Sequence, residues 1–104
     1  MRAQRDLICR LLSEIPTVRF LQPDGAFYIF VDISNVLKGA VRTSGEFCEI
    51  LLDKYHLALG AGEAFGADGY VRFSFAASED TICKALNRFK PCIEELTQHY
   101  EKYL

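Results

Sequence analysis

Arg72 places a permanent positive charge in the middle of an otherwise apolar stretch, GYVRFSF (residues 69–75). A guanidinium is a planar fork that binds a carboxylate through two parallel hydrogen bonds, and it keeps its proton at any physiological pH. If the stretch is a strand, its side chains alternate between two faces. The core face then carries Val71, Phe73 and Phe75, and the other face carries Tyr70, Arg72 and Ser74. Arg72 is therefore either a rigidly held ligand for the carboxylate of a small molecule or a solvated arginine whose stem covers its neighbours.

The segment leading into this stretch, AGEAFGADG (residues 61–69), has three glycines in nine residues. This composition predicts an irregular loop with positive φ angles or close backbone approach. Its single large apolar residue, Phe65, could form a pocket wall beside Arg72. The loop favours the interpretation that Arg72 binds the carboxylate of a small molecule.

Other residue types that could do chemistry are better explained by structure. Cys9, Cys48, Cys83 and Cys92 form no C-x-x-C pair, and His56 and His99 stand at no zinc-ligand spacing, so we predict free thiols and no metal site. Cys48 is expected to be a core residue rather than a nucleophile. Adjacent helical carboxylates point in different directions and are not an acid–base pair; these are Glu79 with Asp80 and Glu94 with Glu95.

The remaining candidates are lysines and aromatic residues. The five lysines are predicted to be solvated; they are Lys38, Lys54, Lys84, Lys90 and Lys102. Tyr28 and Phe30 are expected to be core aromatics, although Tyr28 could reach a pocket. No catalytic residue is predicted.

Composition excludes several classes of function. The chain has 104 residues, half of them hydrophobic, and a net charge of −2 with dispersed Lys and Arg, which argues against a nucleic-acid partner or a polybasic membrane patch. No stretch approaches the roughly 20 apolar residues of a membrane span. With unpaired cysteines, these features predict a cytoplasmic protein.

The order of predicted elements is helix, strand, strand, helix, strand, strand, helix, in one domain over residues 1–104. The first helix covers about residues 3–15. The strands TVRFL and AFYIFVDIS follow as an antiparallel pair, the second apolar enough to be covered on both faces. Ser44 is predicted to cap the second helix, and His56 to open the short strand HLALG. This order predicts an α/β two-layer sandwich, with a small mixed or antiparallel sheet and helices on one face.

The final helix has the clearest pattern. Ser78 is its predicted cap, and its apolar residues step by four and three along one seam. The seam consists of Ile82, Leu86, Phe89, Ile93, Leu96 and Tyr100. Pro91 lies inside it and predicts a kink near Asn87.

Three ordered segments carry a resemblance to a known family: PDGAFYIFVDIS (23–34), EFCEILLDKYHLALGAGEAFG (46–66) and GYVRFSFAASED (69–80). Together with the opening RAQRDLICRLLSEIP, they resemble the C-terminal small domain of class I/II aminotransferases, the aspartate aminotransferase superfamily of PLP fold type I. The resemblance covers nearly the whole chain.

The resemblance implies that Arg72 forms a bidentate salt bridge to the α-carboxylate of an amino-acid substrate. It also implies that the parent enzyme is a PLP-dependent transaminase of aspartate aminotransferase-like type, and a homodimer acting on amino acids and 2-oxo acids. The family's Schiff-base lysine and phosphate cup lie on a large domain that is missing here. We therefore expect no bound PLP and no activity in this chain alone.

The loop departs from the family pattern, because Ala61 and Glu63 stand where the family has proline and serine. A charge at Glu63, near the expected substrate entrance, leaves the substrate preference open. The alternative function is a free-standing regulatory domain that binds amino acids through Arg72 without catalysis.

Overall fold

The computed structural model describes residues 2–20, 27–37 and 41–102. Three α-helices accompany four strands: α1 (Arg2–Ser13), α2 (Ser44–Tyr55) and α3 (Glu79–Lys102), with β1 (Arg19–Phe20), β2 (Tyr28–Asp32), β3 (Gly60–Ala61) and β4 (Tyr70–Ser74). Two 3₁₀ turns cover Ser34–Val36 and Gly62–Phe65. The strands form one sheet in the order β1-β2-β4-β3, with every pairing antiparallel. The predicted α/β sandwich is confirmed, and its sheet is antiparallel rather than mixed.

The three helices pack against one face of this sheet, because each helix carries an apolar stripe and the strands alternate apolar side chains toward it. Phe89 of α3 lies at the centre, with its ring edge-to-face against Phe73 of β4 (4.9 Å between centroids) and Phe47 of α2 (6.0 Å). The predicted core face of β4 is confirmed, since Val71, Phe73 and Phe75 are buried. The other face of the sheet is called here the outer face.

The prediction that β2 is covered on both faces is wrong. Tyr28 is 44% exposed and Phe30 is 42% exposed, both on the outer face, whereas Ile29 and Val31 are buried. The apolar character of the strand predicts two-sided burial, but within the described residues the helices cover one side. Tyr28 and Phe30 are therefore not core aromatics.

Two predictions about the ends of α2 are also wrong. Thr43, not Ser44, is the N-cap: its hydroxyl accepts a hydrogen bond from the Glu46 amide at 3.1 Å. His56 does not open a strand but ends the helix, in the left-handed conformation with φ 58°. Its carbonyl accepts a hydrogen bond from the Arg88 guanidinium of α3 at 2.8 Å, which ties the two helices together.

Helix α3 begins as predicted and runs without interruption through Pro91. The Ser78 hydroxyl accepts a hydrogen bond from the Thr81 amide at 3.1 Å, and Glu79 and Asp80 occupy the first turn, where their charge suits the helix dipole. The seam is buried at Ile82, Leu86, Phe89 and Ile93. The kink near Asn87 stays a prediction.

Candidate functional site

Arg72 lies at the middle of β4, an interior strand of the sheet. It is in register with Phe30 of β2 on one side and with Gly60 of β3 on the other. Its side chain is half-buried and belongs to the outer face, as the alternation along the strand predicts. Hydrogen-bonded neighbours on both sides fix the backbone of Arg72, so the origin of its side chain is rigid.

The guanidinium of Arg72 lies over the ring of Tyr28, with Cζ 4.4 Å from the ring centroid. This is a cation–π contact, in which the positive charge is attracted to the ring face. Sequence reasoning missed the pair because it assigned Tyr28 to the core. The sequence does contain a signal for the exposure of Tyr28. Asp32 alternates with Tyr28 and Phe30 along β2, so it shares their face and indicates that this face is polar.

On the other side of β4 from β2 lies β3, which leads into the glycine-rich loop. Gly60 has no side chain, so the outer face of β3 offers no bulk beside the arginine at that register position. At Gly62 a Cβ would lie 2.1 Å from the Ala67 carbonyl oxygen and 2.5 Å from that of Tyr70, so only glycine allows this turn. Gly66 and Gly69 have φ angles of 77° and 95°. The predicted positive φ angles and close approach are confirmed; the side chain of Phe65 lies outside the described part.

A hydrogen-bond network around the buried Ser44 anchors the loop to α2. The Asp68 carboxylate accepts from the Ser44 amide (2.9 Å), the Ser44 hydroxyl (3.0 Å) and the Gly69 amide (3.0 Å). The Ser44 hydroxyl in turn accepts from the Glu63 amide at 3.0 Å. The bonds from Ser44 hold the pKa of Asp68 below its ordinary value, with that from Gly69 adding to them. Ser44 therefore fixes the loop, which explains why its hydroxyl is not the helix cap.

The Glu63 side chain packs against the first turn of α2. A Cβ placed on Gly45 would lie 1.8 Å from Glu63 Oε1, so the carboxylate occupies the space that this glycine leaves. That position is at the amino end of a helix, where a negative charge is favourable. The Glu63 charge, which is expected from the sequence to lie near a substrate entrance, is therefore directed toward the helix layer.

The other candidate residues lie in that helix layer too. All four cysteines are unpaired. Burial, with Glu63 adding to it, raises the pKa of Cys48 to about 11, and burial raises that of Cys92 to about 12 and also raises that of Cys9. Thiols that hold their protons at neutral pH are poor nucleophiles, which favours the predicted core role of Cys48.

Charged residues of the helices pair with one another. Lys54 lies 3.5 Å from Glu95, which also accepts from the Tyr55 hydroxyl, and Lys84 lies 3.0 Å from Asp80. The described residues include no group of three His, Cys, Asp or Glu side chains that could hold a metal ion. In this part of the chain, too, no helix is long and apolar enough to cross a membrane.

The family model of class I and II aminotransferases matches residues 1–89. The chain belongs to the class I and II aminotransferases. It is 38% identical over 98 residues to the bifunctional aspartate aminotransferase and glutamate/aspartate-prephenate aminotransferase of Petunia hybrida, covering 88% of this chain and 20% of that one. This aminotransferase chain thus spans about a fifth to a quarter of the length of its relatives.

Solved structures give the same result for the fold. The aspartate aminotransferase of Rhizobium meliloti matches with a TM-score of 0.84 at 32% identity, over 89% of this chain and 25% of that one. A second similar structure, from Clostridium difficile 630, carries bound PLP and matches with a TM-score of 0.79 at 27% identity, over 88% of this chain and 24% of that one. The aminotransferase fold of the chain is thereby established.

The described residues around Arg72 include no lysine that could bind PLP. A Schiff base requires a lysine, and the lysines whose side chains are described lie on α2 and α3, across the sheet from Arg72. The outer face near Arg72 carries Tyr28, Phe30 and the bare backbone of Gly60. These groups can orient an anion but cannot hold the cofactor covalently.

Proposed function

We propose that residues 1–104 are one domain, the C-terminal small domain of a PLP-dependent aminotransferase of aspartate aminotransferase type, and that Arg72 binds the α-carboxylate of its substrate. The large domain would supply the PLP and its lysine. The parent enzyme would transfer an amino group between an amino acid and a 2-oxo acid as a homodimer in the cytoplasm.

The observation that carries the proposal is the placement of Arg72. A half-buried guanidinium projects from an interior strand, on the sheet face opposite the helices, with Gly60 of β3 in register beside it. Arg72 also stands at the arginine position of the motif that resembles the family's. A fixed guanidinium can orient a carboxylate without taking part in proton transfer, which is the role expected of a substrate-binding domain.

Orientation alone does not labilise a Cα–H bond, because the cofactor supplies the electron sink. We therefore expect the chain to show no amino transfer from aspartate to 2-oxoglutarate when PLP is added, and no Schiff-base absorbance band. Robust activity would refute the assignment of the chemistry to another domain.

Carboxylate binding is tested by titrating the chain with succinate and following amide resonances by NMR. Since the site lies open on one side, we expect a dissociation constant of about 1–10 mM. Arg72→Lys keeps the charge but loses the fork, and should weaken binding at least about tenfold. Arg19→Lys is the matched control, because Arg19 is the arginine of β1 and is in register with Asp32 on the same face. Equal affinity in the wild type and Arg72→Lys would refute the proposal.

A further inference from the structure

Tyr28 is an exposed aromatic residue with an unusual neighbour. It is 44% exposed on the outer face of β2, in register with Ser74, which places it diagonally from Arg72 across the β2–β4 pair. Diagonal neighbours in an antiparallel sheet are within reach of aromatic and long side chains. The 4.4 Å distance from the Arg72 Cζ to the ring centroid shows that the two side chains use this reach.

We propose that Tyr28 is a positioning residue, whose ring holds the Arg72 guanidinium in the orientation that receives the substrate carboxylate. The inference rests on the proposed function of Arg72 and adds a second residue to it. An arginine side chain has many rotamers, and a ligand must otherwise bear the entropy of ordering them. A ring that orders the guanidinium before the ligand arrives lowers that cost.

The kind of contact also matters. Arg72 has two diagonal neighbours on the outer face of β2, Tyr28 and Asp32. A carboxylate accepts hydrogen bonds from a guanidinium, whereas a ring attracts its charge through the face and offers no acceptor oxygen there. The contact with Tyr28 therefore orients the guanidinium without itself taking up an N–H donor.

The first test needs no ligand. Protons on the Arg72 side chain that lie over a ring are shifted upfield, and this shift is read from the NMR spectrum of the chain labelled on arginine. We expect the shift in the wild type and in Tyr28→Phe, which keeps the ring, and its loss in Tyr28→Leu. A wild-type spectrum without the shift would overturn the inference even if a variant failed to fold.

The second test measures succinate binding by the same variants. Loss of a cation–π contact at a half-buried site corresponds to about a three- to fivefold weaker affinity in Tyr28→Leu, with Tyr28→Phe close to the wild type. Tyr70→Leu is the matched control, because Tyr70 is a tyrosine of similar exposure (38%) on the same face. Urea unfolding of each variant separates a change in affinity from a change in stability.

The two proposals fail differently. If Arg72→Lys abolishes binding while Tyr28→Leu binds like the wild type, the positioning role is overturned and the function of Arg72 stands. Equally weakened succinate binding in Tyr28→Leu and Tyr70→Leu also overturns the positioning role. The effect would then come from the loss of any aromatic residue on the outer face rather than from the contact with Arg72. If Arg72→Lys binds as well as the wild type, the proposed function and the positioning role fall together.

Discussion

Replacing Ser44 by alanine should remove the anchor of the glycine-rich loop. Ser44 is fully buried, and its hydroxyl makes two hydrogen bonds, donating to Asp68 at 3.0 Å and accepting from the Glu63 amide at 3.0 Å. A hydrogen bond contributes about 0.5–1.5 kcal/mol. Because the two bonds share one hydroxyl and the Asp68 carboxylate is exposed to solvent, we expect Ser44→Ala to lower the free energy of unfolding by about 1–2 kcal/mol.

The measurement is urea unfolding of the wild type and Ser44→Ala, followed by circular dichroism. Ser34→Ala removes an exposed hydroxyl and should change stability by less than about 0.5 kcal/mol. The loss in Ser44→Ala should also depend on pH. The pKa of Asp68 is lower in the folded chain than its ordinary 3.8, so its stabilising effect is present above that value and is lost as the pH falls through the folded pKa.

The difference in free energy of unfolding between the wild type and Ser44→Ala should therefore be constant near neutral pH and should decrease below about pH 4. A loss under about 0.5 kcal/mol at neutral pH would refute the reasoning, since it would mean that the network does not anchor the loop. A difference in free energy of unfolding that increases in acid would contradict the role given to the ionised Asp68.

Three further predictions concern the backbone and the thiols. His56→Gly should stabilise the chain by about 0.5–1 kcal/mol in urea unfolding, because φ 58° strains a side chain but not glycine; a loss of stability would contradict this. Gly62→Ala should cost about 2–3 kcal/mol, more than the roughly 1 kcal/mol of Gly66→Ala, since a Cβ at Gly62 meets two backbone oxygens and one at Gly66 meets open space. Equal costs would refute the steric argument. Stability should fall as the pH rises above 9.0, the ordinary thiol value, because unfolded Cys48 and Cys92 ionise while the folded thiols stay protonated. Urea unfolding across that pH range should show a smaller decrease in the free energy of unfolding for the double variant Cys48→Ala/Cys92→Ala than for the wild type. An identical decrease would contradict the protonated state given to the folded thiols.

Periodicity predicted most of the fold. The seam of α3, the alternation of β4 and the glycines before it each depend on local spacing, which a sequence displays directly. The same alternation placed Arg72 on the correct face. The chemistry of the guanidinium predicted a carboxylate partner, and the family resemblance then specified the α-carboxylate of an amino-acid substrate.

The errors arose where a long-range partner decides the outcome. The exposure of Tyr28 and Phe30 depends on which side of the sheet the helices cover, and an apolar strand looks the same in both cases. Ser44 is a good cap by residue type, but Asp68, far along the chain, engages its hydroxyl. His56 in a left-handed conformation is uncommon for any residue with a side chain, so the local pattern gave no sign of it.

The most direct test of the account looks at the guanidinium itself. The chain has seven arginines, and labelling with ¹⁵N-arginine gives each a side-chain Nε resonance. The Arg72 resonance is assigned by its absence in Arg72→Lys. On addition of succinate, we predict that the Arg72 resonance shifts with the same dissociation constant as the backbone amides, while that of Arg19 does not. An Arg72 resonance that stays in place while succinate binds elsewhere would contradict the claim that this arginine receives the substrate carboxylate.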